Sequence, residues 1–213
     1  MRTPLTRARI AVEMLPDSNR KQQLEGDVRE MALLVDELLE FGRLRGGLVL
    51  NKERLSVREV LSAIEQTAAS LSEFQSSKAL FKLDVPENVR ELLVELDRQR
   101  IIRVFRNLFE NAIRYATTPD IVLKMELSVA FEHGQIMFRI RDNGSGISES
   151  EKERVFEPFA RLESSRSREF GGLGLGLSLA RSIAEAHGGT LILTRFAPQG
   201  AEFCLSIPLG LQA

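Results

Sequence analysis

Arg139-Ile140-Arg141-Asp142-Asn143-Gly144-Ser145-Gly146-Ile147 is the stretch whose reading decides the fold. Ile136, Phe138 and Ile140 alternate with other residues, the period-two pattern of a half-buried strand. The strand stops at Asp-Asn-Gly-Ser-Gly, where glycines permit positive φ and let backbone approach a ligand closely. Asp142 stands at the strand end, where a carboxylate can point into a pocket. A carboxylate only accepts hydrogen bonds, so it suits an exocyclic amine such as that of adenine. The same pattern also suits a turn in which Asp142 merely caps backbone amides.

The rest of the composition sets bounds. With 213 residues the chain can bury one ample domain and a smaller piece. A hydrophobic content of 43% beside 28% charged residues is ordinary for a soluble globular protein. A net charge of -1 and a pI near 6.2 give no global attraction to nucleic acid or an anionic membrane. A single cysteine, Cys204, excludes an internal disulfide framework and fits a reducing compartment. No apolar run approaches the roughly 20 residues of a membrane helix, and the N-terminus is polar and charged, unlike a signal peptide. The expectation is a soluble, cytoplasmic piece, compatible with origin in a larger membrane protein.

Upstream, residues 2–15 carry Leu5, Ala8, Val12 and Leu15 at spacings of three and four. Pro4 is tolerable in a first helical turn. Pro16-Asp17-Ser18-Asn19 breaks the chain, and residues 20–45 resume the seam with Leu24, Val28, Met31, Val35 and Leu38. Two seamed helices across a short turn predict an antiparallel hairpin, too small to be stable alone and so expected to pair with another copy. Gly46-Gly47 ends it and marks a domain boundary. Residues 48–50, 54–57, 79–85 and 92–96 read as strands, and residues 57–76 as a helix burying Val60, Leu61, Ile64, Ala68 and Leu71.

Asp97 is an N-cap for a helix to about Ala116, with Ile101, Val104, Phe105, Leu108 and Ala112 as its buried stripe. Residues 121–131 and 135–141 form a hairpin through His133-Gly134. Ser148-Glu149-Ser150-Glu151 resembles a capping box opening a short helix. Residues 157–170 read as a polar, mobile loop before Gly171-Gly172-Leu173-Gly174-Leu175-Gly176-Leu177. A helix to Ala186 and strands over 190–196 and 201–207 close the chain.

Asn107, Asn111 and Arg114 fall at i, i+4 and i+7 beside the buried stripe, with Glu110 toward the outer side. Amide oxygens with phosphate oxygens and waters can complete an octahedral Mg²⁺ shell, although two solvated asparagines are the commoner case for such a pair alone. Gly172-x-Gly174-x-Gly176 precedes a helix whose free amides can cradle phosphate; a flexible hinge is the alternative. It is not a dinucleotide fingerprint, because no strand precedes it, and no Lys-Ser/Thr follows to make a Walker loop.

Taken in order, the paired asparagines on a helix, Asp-x-Gly-x-Gly after a strand, Phe156-x-Pro158-Phe159 and Gly-x-Gly-x-Gly before a helix strongly resemble the ATP-binding domain of two-component sensor histidine kinases. The resemblance covers roughly residues 48–210. The family shares its fold with gyrase, Hsp90 and MutL. It implies an α+β architecture: a two-layer α/β sandwich with a mixed sheet, preceded by the antiparallel helical hairpin. Residues 1–45 would be a truncated dimerisation and phosphotransfer hairpin, and residues 46–213 the catalytic domain. Arg2-Thr3-Pro4-Leu5-Thr6 looks like the tail of the family's phosphoacceptor motif, whose histidine would lie just before Met1. His133 and His187 read as structural.

The resemblance implies roles residue by residue. Asp142 would receive the adenine amine. Asn111 would ligate Mg²⁺, with Asn107 supporting the metal or its waters. Arg114 and Tyr115 match a basic-aromatic pair that touches phosphate and sugar. Gly144, Gly146 and Ile147 would shape the adenine pocket. The segment from Phe156 to Phe170 would be an ATP lid, anchored by Phe156 and Phe159, with Arg161 adding charge. Gly172, Gly174 and Gly176, with Leu173, Leu175 and Leu177 between and after them, would close over the phosphates. Thr3 matches a position that assists dephosphorylation of the partner regulator. Ala201 stands where many relatives carry Ser or Thr, so a hydroxyl supporting Asp142 is expected to be missing.

The implied activity is that of a protein-histidine kinase using ATP and Mg²⁺, with a response regulator as partner, a homodimer through the hairpin, and neither nucleic acid nor membrane in this part. The parent protein would be a bacterial inner-membrane sensor, and the chain alone would not phosphorylate itself. A non-catalytic ATP-binding scaffold or regulator phosphatase is the alternative. A gyrase- or MutL-like ATPase ranks lower, because those relatives place glutamate where Asn107 stands. Arg98, Arg100, Arg103 and Arg106 read as a solvated face rather than a nucleic-acid surface.

Overall fold

The computed structural model describes residues 2–45, 49–75, 79–116, 122–160, 174–195 and 200–210. Helix α1 (Arg2–Glu13) and helix α2 (Asn19–Arg45) pack against one another as a hairpin. Pro16 breaks the chain between them, and Ser18 starts α2 by accepting the Lys21 N–H on its hydroxyl at 3.1 Å. Val12 and Val28 are buried in the seam, whereas Leu15, Met31 and Leu38 remain 42%, 46% and 44% exposed.

Strand β1 (Glu53–Ser56) leads into helix α3 (Val57–Ala69). The junction is a capping box: Ser56 Oγ accepts the Glu59 N–H at 3.2 Å, and Glu59 Oε2 accepts the Ser56 N–H at 2.8 Å. The expected helix over 57–76 stops early. Thr67 and Ser70 turn their hydroxyls onto the carbonyls of Ala63 and Thr67, which competes with continued helix, and only one turn, α4 (Ser72–Gln75), follows. Residue 76 lies outside the described residues. Then come strand β2 (Ala79–Asp84), the one-turn helix α5 (Glu87–Arg90) and strand β3 (Leu93–Leu96). Val49 and Leu50 form no strand, and residue 48 lies outside the described residues.

Helix α6 (Arg98–Ala116) buries Ile101, Val104, Phe105, Leu108, Phe109 and Ala112. Strands β4 (Leu123–Glu132) and β5 (Gln135–Asp142) form the expected hairpin, with Leu127, Val129 and Phe131 opposite Ile140, Phe138 and Ile136. His133 at φ 51° and Gly134 at φ 76° give the double positive-φ turn that matches strand twist. The capping box expected at Ser148 does not form. Ser148 donates its hydroxyl to Glu151 Oε2 at 2.8 Å instead of accepting a backbone N–H. The segment makes two 3₁₀ turns (Glu149–Glu151 and Arg154–Phe156) rather than an α-helix. Pro158 forces Glu157 into extended backbone, ψ 139°, and ends the second turn. Helix α7 (Gly176–Ala186) and strands β6 (Thr190–Arg195) and β7 (Glu202–Pro208) complete the chain.

The main sheet has the order β2-β4-β5-β7-β6, with β2 and β4 parallel and the other pairs antiparallel. It is therefore mixed, as the resemblance implied. The β1 and β3 strands pair with each other in a separate two-stranded sheet. Helices α3, α6 and α7 form the second layer: α6 lies over β4 and β5, and α7 over β6 and β7. Edge-on aromatic pairs run through the core between them, Phe81 with Phe109 and Phe105 with Phe138, each at 5.4 Å between ring centroids.

A candidate nucleotide site

Two helix starts define the site. Asp97 caps α6: its Oδ1 accepts the Arg100 N–H at 3.1 Å, and its Oδ2 accepts the Asn51 N–H at 3.0 Å. Its own N–H donates to His187 Nε2 at 3.0 Å, and His187 Nδ1 lies 2.8 Å from the Ile183 carbonyl. The imidazole must then carry its proton on Nδ1 and accept on Nε2. Burial holds His187 below the usual imidazole range. This residue is a clamp between the end of α7 and the start of α6, consistent with a structural reading.

So fixed, α6 turns Asn107, Glu110, Asn111, Arg114 and Tyr115 toward a cavity of about 80 Å³ closed by Val155, Ala160 and the run Gly174–Leu177. That volume has room for a few small groups such as water or a phosphoryl oxygen. Glu110, expected on the outer side, lines the cavity while pairing with Arg106 at 3.2 Å. Asn107 is committed: its Nδ2 donates to the Gly176 carbonyl at 2.9 Å, tying α6 to the first turn of α7, while its Oδ1 has no hydrogen-bond partner among the described residues. Leu175 is fully buried, so it offers only backbone to a ligand. Arg161, Gly172 and Leu173 lie outside the described residues, as does most of the expected lid. Thr3 belongs to α1 by its backbone, and its side chain lies outside the described residues.

The pair Phe159 and Gly174 brackets the cavity. Phe159 N–H donates to the Gly174 carbonyl at 3.1 Å. Gly174 has φ +71°, and a Cβ there would sit 2.6 Å from the Ala160 carbonyl oxygen. Only glycine fits both constraints. Of the two expected anchors, Phe156 is buried against Phe203, but the Phe159 ring is 55% exposed, with its backbone at φ 66°. Phe159 anchors through its amide, not its ring.

Asp142 ends β5 half-buried. Its Oδ1 accepts the Gly144 N–H at 2.8 Å and the Ala201 N–H at 3.2 Å, while Oδ2 has no hydrogen-bond partner among the described residues. Oδ1 thus caps the turn, as one of the two readings of Asp142 has it, and Asp142 is not among the residues that line the cavity beside α6. Burial raises its carboxyl above the ordinary range, against the pull of the two amides. The support expected from a hydroxyl at 201 comes instead from the Ala201 amide. Gly146, at φ +75°, and buried Ile147 follow the turn.

Sequence reasoning missed two supports. Asn143 extends the ladder with its side chain, accepting the Lys124 N–H at 2.7 Å and donating to the Val122 carbonyl at 3.1 Å. Gly200, at φ +78°, donates to the Gly144 carbonyl at 2.7 Å, and a Cβ there would lie 2.0 Å from the Asp142 carbonyl oxygen. The Asn-Gly pair after Asp142 and the Gly before Ala201 were visible signals whose partners were not.

Among the described residues no three His, Cys, Asp or Glu side chains converge to hold a metal. The donor set here, amide oxygens and the Glu110 carboxylate beside backbone N–H groups, fits a hard cation whose shell phosphate oxygens and water complete. A layer of helices thus covers a mixed sheet, and a glycine turn opens α7 against Asn107. The chain belongs to the histidine kinase-, DNA gyrase B-, and HSP90-like ATPase family, which it matches over residues 96–211. It is 32% identical over 211 residues to the sensor protein RstB of Escherichia coli (strain K12), covering 98% of this chain and 46% of that protein. It is 28% identical over 220 residues to the alginate biosynthesis sensor protein KinB of Pseudomonas aeruginosa, covering 98% of this chain and 35% of KinB. The chain thus spans less than half the length of these relatives.

Solved structures share the fold. The Acinetobacter baumannii histidine kinase AdeS superposes with a TM-score of 0.72 at 23% identity, over 98% of this chain and 93% of that one. Full-length ShkA, in complex with AMPPNP, gives 0.82 at 21% identity, over 100% of this chain and 44% of ShkA.

Proposed function

We propose that residues 46–213 bind MgATP and donate its γ-phosphoryl group to a histidine, as the catalytic part of a two-component sensor kinase. The observation that carries this reading is the cavity in which Asn107, Asn111 and Arg114 of α6 face the backbone of Gly174–Leu177. In it, Asn111 and the Asn107 Oδ1 offer hard acceptors, Arg114 offers a cation, and the start of α7 offers N–H groups. Asp142 Oδ2 accepts the adenine amine. Bound Mg²⁺ supplies charge neutralisation on the phosphates; the chain's own contribution is positioning.

Neither histidine of the chain suits the acceptor role. His187 has both ring nitrogens engaged inside the core, and His133 sits in the β4–β5 turn. The acceptor then lies on another segment, in keeping with the Arg-Thr-Pro-Leu sequence at the start of α1. Contact between α2 and α7 supports a hairpin that works beside the cavity. The exposed seam of Met31 and Leu38, with a groove of about 730 Å³ along Leu5, Val12, Val28 and Val35, supports pairing with a second hairpin. Response-regulator engagement by that hairpin follows from the same reading.

The test is transfer in trans. The chain, incubated with γ-labelled ATP and a complete histidine-bearing hairpin, is expected to label the hairpin histidine and not itself. A hairpin that stays unlabelled while MgATP is bound contradicts the kinase reading and favours the scaffold. Asn107 cannot act as a carboxylate base, so steady-state ATP hydrolysis is expected to be slow; rapid turnover favours the ATPase reading.

A further inference from the structure

Outside the residues that face the cavity, one half-buried cation gathers three elements. Arg181, on α7, donates from Nε to the Leu191 carbonyl of β6 at 3.2 Å and from an Nη to Glu153 Oε2 at 3.0 Å. Its guanidinium carbon stands 3.9 Å from the centroid of the Phe156 ring. The same ring meets Phe203 of β7 in a T-shaped pair, at 6.1 Å and 90°. Buried Phe156 thus touches both a cation and a second aromatic ring.

Phe156 stands next to Val155, which lines the cavity. Phe159 is three residues on and donates its N–H to the Gly174 carbonyl, and Gly174 is packed so tightly on Ala160 that no Cβ fits. We propose that Arg181 is a positioning residue for the phosphate end of the site. By fixing Phe156 it sets where Phe159 meets Gly174, and hence where the Gly174–Leu177 backbone faces Asn107. This inference rests on the nucleotide reading above.

Arginine suits the task because its plane stacks on a ring while its edge donates in two directions; lysine cannot do both. The Glu153 carboxylate is largely exposed, so that ion pair contributes little, and the ring contact and the Leu191 bond dominate.

Adenosine and MgATP separate a positioning role from a merely structural one. Adenosine needs only the Asp142 end, and MgATP needs both ends. In NMR titrations, Arg181→Gln is expected to weaken MgATP about tenfold and leave adenosine unchanged, with Arg181→Lys weakening MgATP by roughly threefold. Equal weakening of both ligands, or of neither, overturns the proposal. Should Arg181→Gln fail to fold, the ratio of the two affinities is read on Arg181→Lys, and an unchanged ratio there overturns it. Absence of MgATP binding by the unsubstituted chain defeats the nucleotide reading itself, a result separable from any effect of the variants.

Discussion

Asp142 and Gly200 show how much of the site rests on single atoms. Any side chain at Gly200 meets the Asp142 carbonyl oxygen at 2.0 Å and must also adopt φ +78°. Gly200→Ala is expected to cost about 3 kcal/mol of stability in urea unfolding, combining left-handed backbone with overpacking. Asp142 works in the opposite sense. Its carboxyl is raised in the folded chain, mainly by burial, so the folded state holds a proton that the unfolded state has released. That contribution is complete below the ordinary carboxylate value of about 3.9 and is lost as pH rises through the folded value. Asp142→Asn is therefore expected to leave nucleotide-free stability at neutral pH unchanged or higher, and a clear loss in the melting temperature contradicts this.

At the scale of elements, His187 couples α6 to α7. Its imidazole is buried neutral, with its titration lowered by burial, so protons bind the unfolded chain first. Stability is full above about pH 6.5 and falls as pH drops below it, down to the folded value. Urea midpoints across pH 5 to 7.5 are expected to decline on the acidic side, and His187→Gln to flatten that decline. A pH-independent wild-type profile contradicts the clamp. Legibility at this scale followed locality. The α6 cap, its apolar stripe and the β4–β5 turn were readable because caps, period and positive-φ turns are local. The Ser148 capping box failed because the Ser148 hydroxyl donates to the Glu151 carboxylate, so neither side chain caps a backbone N–H. The pairing of β3 with β1 outside the main sheet, the Asn143 side-chain ladder and the Glu110 approach to the cavity depend on partners distant in sequence. No local pattern encodes them.

At the scale of the molecule, order of motifs conveyed more than any motif. Asn107 with Asn111, Asp142 and the glycine run are each ambiguous alone, and the packing of α7 on α6 brings the first and last to one cavity. The hairpin remains half-covered: Leu15, Met31 and Leu38 face solvent along the same seam whose inner residues Val12 and Val28 are buried. Sedimentation equilibrium is expected to show a concentration-dependent dimer, and Met31→Glu to shift it to monomer without loss of MgATP binding. A monomer at all concentrations removes the pairing from the account.

The central claim, that this chain is a nucleotide-binding catalytic domain, is tested most directly by calorimetric titration of MgATP into the chain beside Asp142→Asn. The account predicts saturable binding by the chain, weakened tenfold or more by the substitution. Absence of binding by the chain, or equal binding by Asp142→Asn, contradicts it.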